Sequence, residues 1–351
     1  MFLSTAGRCF AAAAKPLLRP LFFLTKIRFL LLLFFSLPAV THKANAQGCC
    51  TVGSSLLGGF DNSVQTYHTL SLGLDYQFNS LTRAFEGSES IDDPLRRTAT
   101  VAYFTLRAEY GLQPRLSILA SLYYADRTRE LTVESGQGTG MFLETAEFRG
   151  SGIGDVTLLA KYRLVSSSFA SPFGLAVGAG ASLPTGSYQQ EQDGSQLSID
   201  LQPGTGATAS IGWTLLTYAF PEEGLQISLT GLYRYPGSNL DGYRIGDEIF
   251  VNLGAEKSLG EQFSVALILR SRYADKDFAG GRFLIGTGGT YHDLVPVLLY
   301  SEGSSLARLS GQLPIYRNVR GIQLAITYLL GVEYRYTFDF RDIVDVIVPE
   351  L

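Results

Sequence analysis

Residues 332–340 read VEYRYTFDF, and along this stretch apolar or aromatic side chains alternate strictly with polar ones. Successive side chains of a β-strand point to opposite faces, so the alternation predicts a strand with one apolar and one polar face. The same period recurs through most of the preceding chain. It predicts about twelve strands, an even number as bacterial outer-membrane barrels require, at residues 66–78, 98–110, 115–127, 154–165, 173–184, 206–218, 224–236, 247–258, 261–273, 290–300, 305–316 and 322–340.

The connections between these strands alternate in length. Short ones lie at residues 111–114, 219–224, 258–260 and 301–304, and long ones rich in Gly, Ser, Asp and Glu at residues 81–97, 128–150 and 188–203. This rhythm predicts short periplasmic turns and longer outer loops, with both ends of the barrel chain in the periplasm. The connection at residues 317–321 is an exception, because it is short where a long loop is expected.

Composition narrows the class of protein. Of the 351 residues 46% are hydrophobic, 12% are aromatic and only 17% are charged, which is below the roughly 25% charged residues of soluble domains. So much apolar surface excludes a disordered chain, and three cysteines exclude a disulfide scaffold. With 32 acidic and 28 basic residues, nucleic-acid binding is excluded as the main role.

The first 46 residues have the features of a secretory signal peptide. A basic start is followed by the apolar run FLLLLFFSLPAV at Phe29–Val40 and by the small-residue exit Ala44-Asn45-Ala46. The alternative, a membrane anchor, needs a longer apolar run than this one. We therefore expect residues 1–46 to direct export and to be removed.

The segments that flank the predicted barrel carry less specific signals. Residues 47–65 are Gly/Ser-rich and do not alternate, so they either fold into the lumen as a plug or hang free in the periplasm. Within them, Cys49 and Cys50 are open to three interpretations: a lipid-anchored Cys49, a vicinal disulfide or free thiols. Residues 341–351 form a tail beyond the last strand, so the domain boundaries are 1–46, 47–65, 66–340 and 341–351.

A soluble β-sandwich or lipocalin-like barrel would also alternate, but with its apolar face packed inside. Against it, the apolar face carries aromatic residues near strand ends, as an interfacial girdle does; these are Tyr76, Phe78, Tyr110, Tyr124, Tyr233, Tyr235, Tyr334 and Phe340. The sequence therefore predicts a closed antiparallel transmembrane β-barrel of about 12 strands in the outer membrane of a Gram-negative cell. Its expected partners are outer-membrane lipid and, during insertion, the barrel-assembly machinery.

The polar face carries charges of both signs at mid-strand, and in a barrel this face lines the lumen. The candidate lumen-lining residues are Arg107, Glu109, Lys161, Arg163, Arg234, Glu256, Arg270, Arg272, Arg308, Glu333 and Arg335. Two arrangements remain open: the charges pair into a packed interior, or they line a wet constriction. Pairing is expected either way, because unpaired buried charges cost several kcal/mol.

Motifs for catalysis, cofactors or metals are nearly absent. The run Gly150-Ser-Gly152-Ile-Gly154 is followed by Asp155 and opens a strand, so it is not a dinucleotide fingerprint. We expect no cofactor, no metal ion and no enzymatic activity. A lipid-acting hydrolase would have to use His68 or His292 with a serine of a neighbouring strand, such as Ser71 or Ser310.

Several passages resemble a known family. Residues 152–164 (GIGDVTLLAKYRL) and 178–187 (GAGASLPTGS) are similar to the GxGDxxLxxKYRL and LPTG runs of outer-membrane proteins grouped with phenol meta-pathway (MetA-type) degradation, and residues 287–324 are similar to its closing strands. The resemblance covers roughly residues 66–340. It implies an outer-membrane β-barrel that transports aromatic or other apolar small molecules. The tail after Phe340 departs from the terminal aromatic residue that closes such chains.

The sequence leaves three functional hypotheses. The first is an outer-membrane channel or uptake protein for small, apolar or aromatic solutes. The second is a non-transporting structural or surface-interaction protein that uses the long loops at residues 81–97, 128–150 and 188–203. The third is the lipid-acting enzyme.

Overall fold

The computed structural model describes residues 64–93, 95–135, 142–168 and 171–341. The predicted signal peptide, Cys49 and Cys50, all but the last two residues of the segment 47–65, and all but the first residue of the tail 341–351 lie outside the described residues. Across the described part of the chain, no helix is long and apolar enough to cross a membrane.

Twelve antiparallel strands form one closed ring, in which each strand pairs with its neighbours in the chain and the last pairs with the first. The prediction of a closed 12-stranded barrel is confirmed. The strands are β1 (Thr69–Leu81), β2 (Thr98–Gln113), β3 (Leu116–Ser135), β4 (Val156–Val165), β5 (Phe173–Leu183), β6 (Ala209–Phe220), β7 (Leu225–Pro236), β8 (Glu248–Ser258), β9 (Phe263–Ala274), β10 (Gly289–Glu302), β11 (Ser305–Ala325) and β12 (Tyr328–Asp339).

The barrel has two unlike ends. At one, which we call the turn end, Thr69 of β1 lies opposite Asp339 of β12, and the connections are short, as at Gly303 between β10 and β11. At the other, the loop end, segments such as 184–208 between β5 and β6 are long. Short periplasmic and long outer connections are typical of outer-membrane barrels.

The outward face of the barrel is apolar. Leu74 is 56% exposed, Leu106 53% and Val332 54%, and the aromatic residues Tyr124 and Tyr233 are also exposed. A soluble sandwich would bury these side chains. Lipid is therefore the solvent that suits this surface.

The predicted loop at residues 128–150 is wrong over most of its length. The strand β3 continues to Ser135 and pairs with a further strand, Phe142–Ile153, so that Thr128 lies opposite Arg149. This hairpin extends the barrel wall at the loop end. There β3 no longer pairs with β4, whose ladder ends at Ser121 and Thr157. Polar and charged side chains dominate this hairpin, and such a composition predicts a loop.

The connection predicted at residues 317–321 also differs, because β11 continues through it to Ala325. The ladder between β11 and β12 ends where Gln312 lies opposite Leu329. Beyond Gln312, β11 pairs with β10 and then with the short strand Arg83–Gly87. Gly321 has a φ of 71°, a conformation that glycine adopts readily, so the strand bends there and changes partner.

Other short strands lie in the loops. They are Glu89–Ile91, which pairs with Arg83–Gly87, and the two-residue pairs Glu191–Gln192 with Ser195–Gln196 and Phe278–Ala279 with Arg282–Phe283.

Glycine allows one close approach between strands. A Cβ atom added to Gly180 of β5 would lie 2.1 Å from the carbonyl oxygen of Leu158 on β4, whereas one added to Gly212 of β6 would meet nothing within 4 Å. We expect Gly180→Ala to force these strands apart and to destabilise the barrel by about 1–3 kcal/mol, with Gly212→Ala as the matched control. The temperature at which the folded band is lost in a heat-modifiability gel measures the effect; equal temperatures for both variants would contradict it.

Candidate functional site

The charged side chains predicted to line the lumen lie on the strand face opposite to the exposed apolar residues. In a closed barrel this is the inward face. Arg107, Glu109, Lys161, Arg234, Arg272 and Glu333 are buried, and Arg163, Glu256, Arg270, Arg308 and Arg335 are partly buried. The structure connects most of them in ionic contacts.

One group of these contacts centres on Glu333 of β12. Three guanidinium groups approach its carboxylate, with N–O distances of 3.8 Å from Arg107, 3.6 Å from Arg308 and 3.7 Å from Arg335. Arg107 also lies 3.5 Å from Asp75. We call these five residues the Glu333 cluster.

A second group centres on Glu248 of β8 and is tighter. Arg234 of β7 and Arg272 of β9 contact its two carboxylate oxygens at 3.0 and 2.7 Å. The Arg272 guanidinium also lies over the rings of Phe250 and Tyr291, 5.6 and 5.1 Å from their centroids, which stabilises a desolvated cation.

Asp293 of β10 contacts two residues of β11. Arg317 Nη1 lies 2.7 Å from Asp293 Oδ1, and Gln312 Nε2 donates a hydrogen bond of 2.9 Å to Asp293 Oδ2. The amide oxygen of Gln312 in turn accepts a hydrogen bond from Arg270, which also donates to Asn252. Ionic and amide groups therefore alternate from β8 to β11.

The most buried pair is formed by Lys161 of β4 and Glu109 of β2. Their side chains are 0% and 7% exposed, and Lys161 Nζ lies 2.9 Å from Glu109 Oε2. Ser117 on the intervening strand β3 donates to Glu109 at 2.5 Å, and the ammonium group lies 5.2 Å from the centroid of Trp213. Each charge thus has compensating partners, as burial requires.

Removing one member of this pair would leave the other charge buried without its partner. We expect Lys161→Met to destabilise the barrel by about 3–5 kcal/mol, and the double variant Lys161→Met/Glu109→Gln to regain part of that loss. Urea unfolding followed by tryptophan fluorescence in detergent measures both. A double variant less stable than the single one would contradict the proposed pairing.

The start of the described chain is held at the same pair. The backbone N–H of Gln65 donates to Glu109 at 3.2 Å, and Arg163 donates to the carbonyl oxygen of Val64. The Val64 side chain packs in a buried apolar cluster on the inward face of β3 to β8, which comprises Val64, Leu119, Leu159, Ala176, Ile211, Trp213, Leu215, Leu232 and Phe250. The chain thus enters β1 from inside the barrel.

At the loop end, Asp155 fixes the segment 184–208. Its buried carboxylate accepts hydrogen bonds from the N–H groups of Gly186 and Thr205, each at 3.0 Å, and from the Thr205 hydroxyl at 2.6 Å. Gly186 and Gly204 are in direct backbone contact, since a Cβ on Gly186 would lie 2.8 Å from the Gly204 Cα. The Gly-Asp and Leu-Pro-Thr-Gly passages of the sequence meet here.

The fixed segment 184–208 reaches inward-facing residues of β3. Tyr123 donates to the carbonyl oxygen of Pro203 at 2.8 Å, Arg127 donates to that of Asp200 at 2.9 Å, and Arg129 forms an ion pair with the Asp200 carboxylate. A second buried apolar cluster lies beside these contacts and contains Leu81, Ala84, Ala99, Val101, Tyr103, Ala125 and Leu324. The loop end is therefore narrowed by both polar and apolar groups.

We expect Asp155→Asn to loosen the segment 184–208, because the amide keeps only one acceptor oxygen, so that either the Gly186 N–H group or the two donors of Thr205 lose their acceptor. The measurement is the rate at which a protease cleaves within this segment in the folded, detergent-solubilised protein. Asp193→Asn is the matched control, since Asp193 is exposed in the same segment. Equal rates for the two variants would show that Asp155 does not restrain the loop.

The two histidines suggested for a hydrolase have other partners. His68 Nδ1 lies 3.0 Å from the hydroxyl of Tyr110, and His292 Nδ1 lies 2.9 Å from that of Ser271. Neither contact involves Ser71 or Ser310, the serines suggested by the sequence. In a catalytic triad a carboxylate orients the histidine. Among the described hydrogen bonds, none joins a carboxylate to either imidazole. Within the same residues, no three His, Cys, Asp or Glu side chains are grouped as for a metal ion.

Sequence reasoning missed several inward-facing residues. Asp75, Glu248 and Asp293 lie at alternate positions of predicted strands, so the alternation could have identified them. Arg317 could not be found in this way, because the sequence predicts a connection at residues 317–321.

Together, the lipid-facing exterior, the charged interior and the closed ring define a β-barrel protein of the Gram-negative outer membrane. The sequence of residues 118–292 matches the family described as "Putative MetA-pathway of phenol degradation", which confirms the resemblance carried by the Gly-Asp and Leu-Pro-Thr-Gly passages. No curated protein matches the chain in sequence.

Among solved structures, an outer membrane channel of Pseudomonas putida F1 has the same fold. It is 15% identical, with a TM-score of 0.61, and the match covers 80% of this chain and 100% of that one. The toluene transporter TbuX of Ralstonia pickettii is a more distant match, 11% identical, with a TM-score of 0.39 and coverage of 79% and 91%.

Proposed function

We propose that this protein is an outer-membrane channel or uptake protein for small, apolar or aromatic solutes. The observation that carries the proposal is the inward face, which is rich in charged and amide side chains along a barrel that lipid surrounds. A structural barrel has no need of so many desolvated ions, since buried ion pairs are often no more stabilising than apolar residues of similar size. A twelve-stranded barrel is also wider than the eight-stranded ones that side chains fill.

The solute class is supported by two further features. The family that matches residues 118–292 is named for phenol degradation, and the similar structure from Pseudomonas putida is that of an outer membrane channel.

We propose no catalytic step for this barrel. Its inward ionic groups pair with one another, and the imidazoles of His68 and His292 contact hydroxyl groups without an orienting carboxylate among the described hydrogen bonds. Loss of lipid hydrolysis on His292→Ala would overturn this proposal and favour the enzyme.

The segment 47–65 is proposed to enter the lumen as a plug. Its last residues support this, because Val64 is buried in the apolar cluster of β3 to β8 and Gln65 donates to Glu109. The residues that directly precede β1 therefore lie on the inward side of the barrel wall.

The channel is tested with the refolded chain lacking residues 1–46 in a planar lipid bilayer. We expect discrete conductance steps, and larger steps when residues 47–63 are also removed. A barrel that stays sealed in both forms would remove the channel proposal; steps of equal size would remove only the plug.

Transport of the solute is tested in cells, because apolar molecules cross phospholipid bilayers unaided. Uptake of radiolabelled toluene at micromolar concentration is compared between a Gram-negative strain lacking the gene and the same strain carrying it. We expect slower uptake without the gene. Equal uptake, together with loss of partner binding when the outer loops are clipped by protease, would favour the surface-interaction alternative.

A further inference from the structure

Three arginines lie on the outer surface of the barrel at its loop end. They are Arg149 in the strand Phe142–Ile153, Arg244 in the connection between β7 and β8, and Arg320 of β11. Their side chains are 60%, 29% and 32% exposed, whereas that of the inward Arg234 is 7% exposed. The three arginines therefore belong to a different surface from the ionic groups of the interior.

The first of them lies beside β3. Tyr124 is 43% exposed on the lipid-facing side, and Asp126, two residues further on, lies on the same face of the strand. Arg149 donates from Nε and Nη2 to the two carboxylate oxygens of Asp126, at 2.9 and 2.6 Å. Two parallel hydrogen bonds fix the plane of the guanidinium. This arginine is thus held just beyond an outward aromatic residue.

The second repeats the arrangement between β9 and β11. Tyr273 is exposed on the outward face, and Asp275 again follows two residues later. Arg320 donates from Nη1 to Asp275 at 3.0 Å and from Nη2 to the Tyr273 hydroxyl at 2.9 Å. The same guanidinium lies 5.5 Å from the centroid of the Tyr273 ring.

The third lies between β7 and β8. Arg244 donates to the Asp247 carboxylate and to the carbonyl oxygen of Pro236, and its guanidinium lies 4.7 Å from the centroid of Tyr235. Tyr233 donates to the same carboxylate at 2.7 Å, and both tyrosines are exposed on the outward face. Each arrangement thus combines outward tyrosine, aspartate and arginine. We call the three the rim sites.

The rim sites lie at a defined depth and present hydrogen-bond donors there. Tyrosines on the outer surface of a membrane barrel mark the level of the lipid headgroups. A guanidinium has five N–H donors, and the described hydrogen bonds of Arg149, Arg244 and Arg320 use two in each. The aspartates and tyrosines therefore orient each arginine while leaving donors for a further acceptor at headgroup level.

We propose that the rim sites bind phosphate groups of the outer leaflet, namely those of the phosphorylated glycolipid lipid A. Phosphate oxygens match the planar fork of arginine and accept charge-assisted hydrogen bonds from it. The sites lie at β3, at β7 to β8 and at β9 to β11, so several lipid molecules can be held around one barrel. The inference needs the outer-membrane location and is independent of the channel proposal, because the rim sites lie outside the lumen.

The test uses the full chain, purified from the outer membrane of a Gram-negative host and placed in phosphatidylcholine vesicles with or without diphosphorylated lipid A. We expect lipid A to raise the temperature at which the folded gel band is lost by about 3 °C, because a ligand of the folded state stabilises it. The triple variant Arg149→Gln/Arg244→Gln/Arg320→Gln should lose most of this shift. Arg115→Gln is the matched control, because Arg115 is exposed at the turn end, and it should keep the shift.

A second pair of changes separates lipid binding from the stability of the ion pairs themselves. Asp126→Asn and Asp275→Asn break the same ion pairs but leave the arginines in place, so these variants should keep the lipid A shift. Loss of the shift in the aspartate variants as well would overturn the proposal. If the triple variant does not fold, Arg149→Gln alone serves, and it should lose part of the shift.

Two further arms identify the source of the phosphate. Lipid A stripped of its phosphates and free inorganic phosphate should each leave the temperature unchanged. A shift of equal size with either of them, or an equal lipid A shift in the triple variant, would overturn the proposal. Absence of any lipid A shift in the unmodified chain would overturn it too, and none of these outcomes would affect the channel proposal.

Discussion

The closing ladder between β1 and β12 is the constraint on which the rest of the structure depends. Inside a lipid bilayer a backbone N–H or C=O group has no water to bind, so a sheet is stable there only when it has no open edge. The pairing of Thr69 through Ser80 with Asp339 through Tyr328 removes that edge. Once the ring is closed, every strand must direct one set of side chains to lipid and the alternate set to the interior.

The interior charges follow from that division and are arranged in two ways. Glu248 is held by Arg234 and Arg272 at hydrogen-bonding distance, and Lys161 is neutralised by Glu109. These pairs bring compensated charges into a region of low dielectric constant, where each alone would be costly. Around Glu333 the N–O distances are longer, at 3.6–3.8 Å from Arg107, Arg308 and Arg335. One wall of the barrel thus contains ion pairs at hydrogen-bonding distance, and another contains a carboxylate with three more distant guanidinium groups.

Much of this arrangement could be predicted from the sequence, because alternation alone determines which face a residue occupies. The positions of Lys161, Arg234 and Glu333 on the inward face follow from it. Their partners do not, since Glu109 meets Lys161 across the intervening strand β3, and the registers of the β2–β3 and β3–β4 ladders set that distance. The role of Asp155 could not be predicted from the sequence either. Its carboxylate accepts hydrogen bonds from both Gly186 and Thr205, which lie far along the chain. The strand Phe142–Ile153 was also not predicted, because its many polar residues do not show the alternation of a membrane strand.

The ladder that stops at Gln312 and Leu329 gives the wall an uneven stiffness. Beyond this point, Leu313–Arg317 of β11 still pair with β10 on one side. On the other side the ladder to β12 has ended, and side-chain contacts such as the hydrogen bond from Arg317 to the Ile326 carbonyl oxygen take its place. Side-chain contacts yield more readily than a row of backbone hydrogen bonds. When a bulky molecule presses on the wall from within, this arc therefore deforms first, and its amide protons exchange with solvent sooner than those of the fully paired strands.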